Sequence, residues 1–314
     1  MLTRRHIRVK VMQCIYALIQ SKDDSLEKQE KFLTASIENM YTLYLLMLSL
    51  LIEVHKMAQK HVKHDATKYI NEDEVFPNKE KFINNRLLMQ LATNGLLADA
   101  LKKRKLKNWY LNEDYIKILY KEIVASDAYK EYMRSGKDSY ENDITLVLNL
   151  YKHIIAPNEK IYEYFEDDKL TWVDDIPIVN TFLVKRLKKA KPTIKENFFL
   201  PNLLKDEQDM VYAKQLLVKT LLNNAQWEGE IEGKTPNWDK ERIAEIDYIL
   251  LKMAICELLN FSSIPEKVTI NEYLEIAKEY STPKSSIFIN GILDKLVKEY
   301  KSSGKMQKMG RGLL

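Results

Sequence analysis

Basic side chains crowd the first ten residues of this 314-residue chain: Arg4, Arg5, His6, Arg8 and Lys10. Guanidinium groups present forked donors that match phosphate oxygens, and such clusters bind nucleic-acid backbones by neutralising charge. The alternative is a solvated helix start that happens to be basic. Positive charge at a helix N-terminus opposes the helix dipole, which weakens that alternative. RNA binding is therefore one interpretation of the cluster.

The spacing of apolar residues predicts a first helix over about residues 3–20. Ile7, Val11 and Cys14 recur on one face, and Arg5 lies opposite them. Tyr16 falls on the same face as Arg5. Because unpaired bases stack on aromatic rings, Tyr16 is a candidate for base stacking.

A second informative segment is residues 264–296, which read IPEKVTINEYLEIAKEYSTPKSSIFINGILDKL. They predict two helices around a short loop. Gly291 costs about 1 kcal/mol of helix stability relative to Ala, so we expect close helix packing at this glycine. Lys284 and Ser285 stand at the start of the last helix, where phosphate binding and capping are favoured. Phe288 is either a core residue or a platform for a base.

Residues 247–259, DYILLKMAICELL, predict a buried helix. Ile249, Leu250 and Met253 belong to its apolar stripe, whereas Lys252 and Glu257 leave the stripe.

Motifs for catalysis, cofactors and metals are missing. The sequence contains no G-x-x-x-x-G-K-[ST], G-x-G-x-x-G, H-E-x-x-H or G-x-S-x-G. His61 and His64 lie one helical turn apart without further ligands, and we interpret them as a solvated pair. Cys14 and Cys256 lack metal-ligand spacing and fit a reducing compartment. We therefore predict a non-enzymatic protein with no catalytic residues, cofactor or metal.

The composition predicts an all-α fold. Hydrophobic residues make up 46% of the chain, whereas Gly and Pro number only 8 each. Helices are expected at about 3–20, 26 into the fifties, 79–104, 112–134, 140–155, 158–166, 178–191, 206–226, 238–260, 267–280 and 283–300. The apolar run Tyr41–Ile52 is shorter than a membrane span, so we expect a cytoplasmic protein that does not enter a membrane.

A faint internal similarity accompanies these helices. Asp143, Asn158 and Trp172 each find the same residue 66 positions later, at Asp209, Asn224 and Trp238. A degenerate duplication is one interpretation. Two helical hairpins of similar length are the other.

Three segments together resemble the NusB family of bacterial transcription antitermination factors. RRHIRVKVMQCIYAL resembles the opening arginine-rich helix of that family, and IDYILLKMAICELL resembles a later helix with the pattern E-x-A-x-L-R-x-A-x-x-E-L. The segment that ends in FINGILDK is similar to the C-terminal helical pair with F-V-N-G-V-L-D-K. The resemblance covers residues 1–35 and 206–300, and its last motif is long and specific.

This resemblance implies a NusB-like helical bundle enlarged by a central helical insertion. Residues 1–35 and 206–300 are expected to form the RNA-binding core, 36–205 the insertion and 301–314 a flexible basic tail. The internal similarity offers a degenerate repeat of the core hairpins as one interpretation of the insertion. The family binds boxA RNA of ribosomal-RNA leaders together with the small-subunit ribosomal protein NusE. That complex joins elongating RNA polymerase and suppresses termination, and we expect the same partners here.

The resemblance also assigns roles to residues. The positions expected to bind RNA are Arg4, Arg5, Arg8, Lys10, Tyr16, Lys252, Lys284, Ser285 and Phe288. Asp247 and Glu257 are expected to face the protein partner. His6 stands where the family often has Arg, and Lys252 also replaces an Arg, which turns a bidentate contact into a single point charge.

Two other functional classes stay open at this point. A helical scaffold would bind only proteins and would use the insertion as its interface. An RNA methyltransferase would need a nucleotide-cofactor fold, and the sequence shows no Gly-rich loop for a methyl donor.

Overall fold

The structure is a computed structural model that describes residues 1–21, 25–65, 76–232, 234 and 243–309, with only the backbone at 64 and 65. Over these ranges the chain forms helices and no strand, which confirms the all-α prediction. The chain divides into two compact units. Unit 1 comprises Met1–Ile37 and Leu203–Leu314, and unit 2 comprises Glu38–Asn202. The expected core and insertion had boundaries at 35/36 and 205/206.

Unit 1 is built around one nearly fully buried helix. Its elements are α1 (Arg4–Ser21), the first part of α2 (Leu26–Asp65), α11 (Gln208–Leu222), α12 (Asn224–Glu232), α13 (Glu245–Asn260), α14 (Glu266–Tyr280) and α15 (Ser285–Ser302). Helix α13 packs against α1, α11, α12, α14 and α15. Because neighbours surround it, α13 is apolar on almost every face, and Leu250 to Leu258 are all buried.

In its described residues, unit 2 contains the rest of α2 and eight shorter α-helices. They are α3 (Arg86–Ala92), α4 (Gly95–Lys103), α5 (Asn108–Leu111), α6 (Glu113–Ala125), α7 (Asp127–Arg134), α8 (Tyr140–Leu150), α9 (Glu159–Asp168) and α10 (Asp175–Lys188). A π-helical turn, Tyr151–Ile155, continues α8. Aromatic rings fill the core of the unit, where Phe165 packs edge-on against Trp109 and Trp172 with ring centroids 5.8 and 5.5 Å away.

Side-chain caps explain why unit 2 has more helices than its apolar pattern predicts. The expected helix 79–104 is two helices, because the side chains of Asn85 and Asn94 accept hydrogen bonds from the first backbone N–H groups of α3 and α4. Ser126 divides the expected helix 112–134 between α6 and α7 in the same way. The start of the expected helix 238–260 lies outside the described residues, and α13 begins at Glu245.

Helix α2 is longer than the apolar run within it. By length and composition it could cross a membrane, with a mean hydropathy of 1.4 over an 18-residue window in Leu26–Lys63. The short length of the run Tyr41–Ile52 therefore does not by itself exclude a membrane span. However, 72% of that window is buried inside the protein. Buried apolar helices of this kind also form the cores of proteins that never enter a membrane.

Two further expectations differ from the structure. A Cβ atom added at Gly291 would meet nothing within 4 Å, so this glycine does not serve close helix packing.

The described part of the tail is held in place: Lys308 Nζ donates to the backbone oxygens of Glu257 and Phe261 at 3.1 and 3.0 Å. Met309 N donates to Ser262 O at 2.9 Å.

Candidate nucleic-acid interface

The start of α1 presents two accessible arginines beside a cavity of about 530 Å³. The side chains of Arg4 and Arg5 are 43% and 40% exposed. The cavity is lined by both of them and by His6, Ser263 and Pro265, among others. Helix α1 packs against α11, α13 and α14, which fixes where its first turn emerges. The arrangement offers forked donors at an open surface.

Each of these arginines already has an acidic partner. Arg4 Nε lies 3.1 Å from Asp209 Oδ1. Arg5 donates twice to Glu272, from Nε at 3.0 Å and from Nη2 at 2.9 Å. The hydrogen bonds that Arg5 donates to Glu272 raise the pKa of Arg5. A phosphate that approached these arginines would have to share or replace the two carboxylates, so the surface favours a polyanion less than its sequence predicts.

His6 contributes no positive charge at neutral pH. Burial, followed by repulsion from Arg5, lowers its pKa. The backbone N–H of Thr3 donates to His6 Nδ1 at 3.2 Å, which assigns the ring proton of the neutral form to Nε2. The side chain is half-buried and lines the same cavity as Arg5.

Arg8 is not part of an exposed interface in the folded protein, contrary to the prediction. It is 2% exposed and points into unit 1 rather than toward solvent. Its Nε and Nη2 donate to the two carboxylate oxygens of Glu257 at 2.8 and 2.7 Å. A side chain enclosed in this way cannot contact RNA without opening the core, so its role is structural.

Glu257 is the acceptor at the centre of this buried cluster. It is fully buried and also accepts from Tyr212 Oη at 2.5 Å, Thr269 Oγ1 at 2.8 Å and Tyr273 Oη at 3.3 Å. Burial by itself would raise the pKa of Glu257, but the hydrogen bonds and charge of Arg8 override it and hold the pKa below its ordinary value. The expected contact of Glu257 with a protein partner is therefore wrong for the folded protein.

Two lysines of the predicted interface are also buried. Lys10 is 2% exposed and Lys252 is 6% exposed. Lys252 Nζ donates to Asn224 Oδ1 at 2.7 Å and to Glu228 Oε1 at 2.8 Å. Its ammonium also lies 4.2 Å from the centre of the Tyr248 ring. These contacts join α13 to α12, and they remove Lys252 from direct contact with RNA.

Ser285 and Asp247 meet inside unit 1. Ser285 Oγ donates to Asp247 Oδ2 at 2.7 Å and accepts from the backbone N–H of Thr282 at 3.2 Å. The two residues are 1% and 4% exposed. Their hydrogen bond links α15 to α13, so neither the expected RNA contact of Ser285 nor the expected partner contact of Asp247 is available at the surface.

The remaining predicted residues are accessible. Tyr16 is 41% exposed, Lys284 is exposed and Phe288 is half-buried. Arg4, Arg5 and Tyr16 stand on α1, whereas Lys284 and Phe288 stand at the start of α15. Helices α13 and α14 pack against both α1 and α15. That one RNA touches both groups stays a prediction.

The sequence did not predict that acids pair with these arginines. Asp209, Glu257 and Glu272 determine which basic groups are free, and they lie 205, 249 and 267 residues from their partners. Only Glu257 left a local signal, as an acid inside an otherwise apolar helix.

Among the residues that the structure describes, no group of three or more His, Cys, Asp or Glu side chains is placed to hold a metal ion. His61 stacks on Tyr120 with ring centroids 4.9 Å apart. The side chain of His64 lies outside the described residues.

Comparisons with known proteins give the same family as the three sequence motifs. A model of the NusB family matches residues 181–298, so the match begins within α10. The relative named transcription antitermination protein NusB of Salinibacter ruber is 43% identical over 103 residues, which are 33% of this chain and 64% of that protein. The protein of the same name from Chloroherpeton thalassium is 46% identical over 99 residues, or 31% of this chain and 47% of that protein.

A third relative is covered more fully. Transcription antitermination protein NusB of Listeria monocytogenes is 37% identical over 102 residues, which are 32% of this chain and 79% of that protein. The chain spans less than two thirds of the length of the other two relatives. No solved structure matches the chain at a significant level. The motifs, the helical fold and these identities agree, and the chain belongs to the NusB family.

Proposed function

We propose that the protein is a non-enzymatic, RNA-binding transcription antitermination factor. It binds boxA-like RNA of ribosomal-RNA operons with a NusE-type small-subunit ribosomal protein, joins the RNA polymerase elongation complex and acts in the cytoplasm. The observation that carries the proposal is the pair of accessible arginines at the start of α1, beside an open cavity. The process is inferred from the three relatives, which are transcription antitermination proteins.

The test is RNA binding by the full chain with Arg4→Ala and Arg5→Ala combined. Each lost phosphate contact lowers the slope of log affinity against log salt by about 0.7 for single-stranded RNA. We expect the slope to fall by about 1.4 in total. A matched control is Lys31→Ala with Lys301→Ala, because these are also exposed, ion-paired cations of unit 1. Equal affinity and slope in both variants would contradict the assignment of the site.

His6 provides a second test of the same surface. Since its pKa is lowered, the neutral ring gains a positive charge only below about pH 6.5. RNA affinity of the wild-type protein should rise as the pH falls below about 6.5, the ordinary pKa of histidine. His6→Arg should bind more tightly at neutral pH and lose that rise. A variant that keeps the full pH dependence would show that another group causes it.

Protein binding is a second candidate function, favoured by an apolar cavity of about 550 Å³ in unit 1. Its lining includes Ile15, Leu18, Ile19 and Tyr248, and the nearby Leu222 is 70% exposed. A pull-down with the NusE-type protein, with and without RNA, separates the two functions. Partner binding that is the same without RNA would favour a scaffold.

A further inference from the structure

Unit 2 carries a concentrated basic segment outside the predicted interface. Residues 101–111 read LKKRKLKNWYL and contain five basic residues and no acidic one. All five, Lys102 to Lys105 and Lys107, are exposed. The side chains of the four lysines make no ion pair within the described part of the chain, in contrast to Arg4 and Arg5.

Stabilisation of helix α4 explains only some of these basic residues. Lys102 and Lys103 lie in the last turn of α4, where positive charge complements the helix dipole. Lys105 and Lys107 lie beyond the last turn of α4, where the effect of the helix dipole falls off. Arg104 has a local partner, since Nη1 donates to Thr42 Oγ1 at 2.9 Å and its guanidinium lies 5.2 Å from the centre of the Tyr41 ring.

Lys105 occupies a backbone position that favours glycine. Its φ is 54°, the one positive φ at a non-glycine position among the described residues. The backbone N–H groups of Lys105 and Leu106 donate to the oxygens of Lys102 and Leu101 at 2.9 and 3.1 Å, which is the Schellman ending of a helix. Gly is preferred at this position because Cβ is disfavoured in the left-handed region. A lysine here is costly to the backbone and adds charge.

An exposed aromatic ring and a cavity adjoin the lysines. Tyr110 is 84% exposed on the short helix α5, and the buried Trp109 beside it donates to Leu46 O and Ser49 Oγ at 3.1 and 2.9 Å. A cavity of about 420 Å³ is lined by Lys107, Trp109 and Tyr110, and also by Lys56 and Lys60. Lys56 and Lys60 pair with Glu53 and Glu113, which line the cavity too. Among the described residues that line this cavity, Lys107 is the cation without an acidic partner.

We propose that residues 102–110 form a second binding surface for single-stranded RNA. The lysines contact successive phosphates, and Tyr110 stacks on a base beside the cavity. Proteins that bind single strands combine these two features, a basic groove and an aromatic platform. The inference rests on the proposed function only in taking RNA as the ligand; the residues are separate. An acidic protein would use the lysines but not the stacking ring, which is why RNA is favoured.

The first experiment removes charge from the full chain. Lys102→Gln, Lys103→Gln and Lys107→Gln are combined, and binding of a short, unstructured RNA is followed by fluorescence anisotropy over a salt series. The slope of log affinity against log salt should fall by about 2, because three phosphate contacts are lost. The matched control combines Lys121→Gln, Lys137→Gln and Lys152→Gln, three exposed lysines elsewhere in unit 2, and its slope should stay unchanged.

Two single variants test geometry rather than net charge. Tyr110→Ala should weaken RNA binding roughly fivefold or more, whereas Tyr110→Phe retains the stacking face and should bind like the wild type. Lys105→Gly removes a charge and suits the backbone, so RNA binding should weaken while the thermal midpoint does not fall. Unchanged RNA binding in both Tyr110→Ala and Lys105→Gly would overturn the proposal.

Comparison with the Arg4→Ala, Arg5→Ala variant in the same assay separates the two proposals. Loss in that variant alone overturns the second surface and leaves the proposed function in place. Loss in the lysine triple variant alone supports the second surface and rejects the α1 site. Equal losses in the lysine triple variant and its control overturn the second surface, because net charge alone then explains them. Loss of binding to an acidic peptide without loss of RNA binding also overturns it.

Discussion

Arg8 shows how the role of a side chain depends on a distant residue. By type and position it belongs with Arg4 and Arg5, yet it is buried because Glu257 accepts both of its donors. Tyr212 and Tyr273 add ring faces 5.5 and 5.7 Å from the Arg8 guanidinium. The surrounding hydroxyl donors satisfy the remaining acceptor sites of the carboxylate, which is the condition under which a buried ion pair is tolerated.

Removal of one partner should be more harmful than removal of both. Arg8→Met leaves the Glu257 carboxylate buried without its cation and should cost about 3–5 kcal/mol of unfolding free energy. The double variant Arg8→Met, Glu257→Leu should recover part of that loss, because no unpaired charge remains. Urea denaturation measures both. A double variant as unstable as the sum of two single variants would show that the pair does not act as a unit.

The same pair predicts an acid-sensitive component of stability. Because the folded pKa of Glu257 is held below its unfolded value of about 4.3, its stabilising effect is complete above that pH. It is lost as the pH falls through the folded pKa. The urea midpoint of the wild type should therefore drop below about pH 4 more than that of Glu257→Gln. Parallel acid profiles would contradict this role for Glu257.

At the scale of elements, local signals predicted the existence of helices better than their limits. The apolar pattern indicated α1, α2 and α13–α15 because each has a long face to bury. It missed the breaks at Asn85, Asn94 and Ser126, where short polar side chains cap a new helix inside a continuing apolar pattern. The burial of Arg8 and Lys252 depends on acids supplied by other helices, which no local pattern contains.

Two Arg–Asp pairs support the interpretation of a degenerate repeat. Arg4, the first residue of α1, pairs through Nε with Asp209 of α11, and Arg86, the first residue of α3, pairs through Nε with Asp143 of α8. In both pairs the aspartate is about 5% exposed. If the repeat is real, α8–α10 should superpose on α11–α13 with these pairs aligned. The matching position Trp238 lies outside the described residues.

Gly291 allows a test of why α15 contains a glycine. The site is exposed and has open space for Cβ, so Gly291→Ala should raise the unfolding free energy by about 0.5–1 kcal/mol. Chemical denaturation measures the gain. If the variant is more stable but binds RNA or the NusE-type protein less well, the glycine is kept for a partner that approaches α15.

At the scale of the whole molecule, net charge and apolar composition do not show where the charged and apolar groups lie. The formal net charge is only +4, so the proposed RNA binding requires local groups such as those at the start of α1. The apolar composition of α2 likewise permits two readings, a membrane span or a core helix, and only burial distinguishes them.

The burial of α2 predicts that the folded protein does not insert into bilayers. Mixed with vesicles of zwitterionic phosphatidylcholine and floated on a density gradient, the full chain should stay out of the vesicle fraction. Its apolar surface is already covered by protein, so insertion would gain little. Neutral lipid removes any contribution from the exposed lysines. Co-flotation would show that α2 leaves the core to enter the bilayer.

The division of unit 1 between both ends of the chain has a consequence for its synthesis. Arg8 and Glu257 are 249 positions apart, and ribosomes add about 5–20 residues per second. Roughly 12–50 s therefore pass between the synthesis of Arg8 and that of the glutamate that pairs with it. During that interval Arg8 lacks the carboxylate that pairs with it in the folded protein, so α1 of a nascent chain presents a basic surface to the chaperones and nucleic acids around the ribosome.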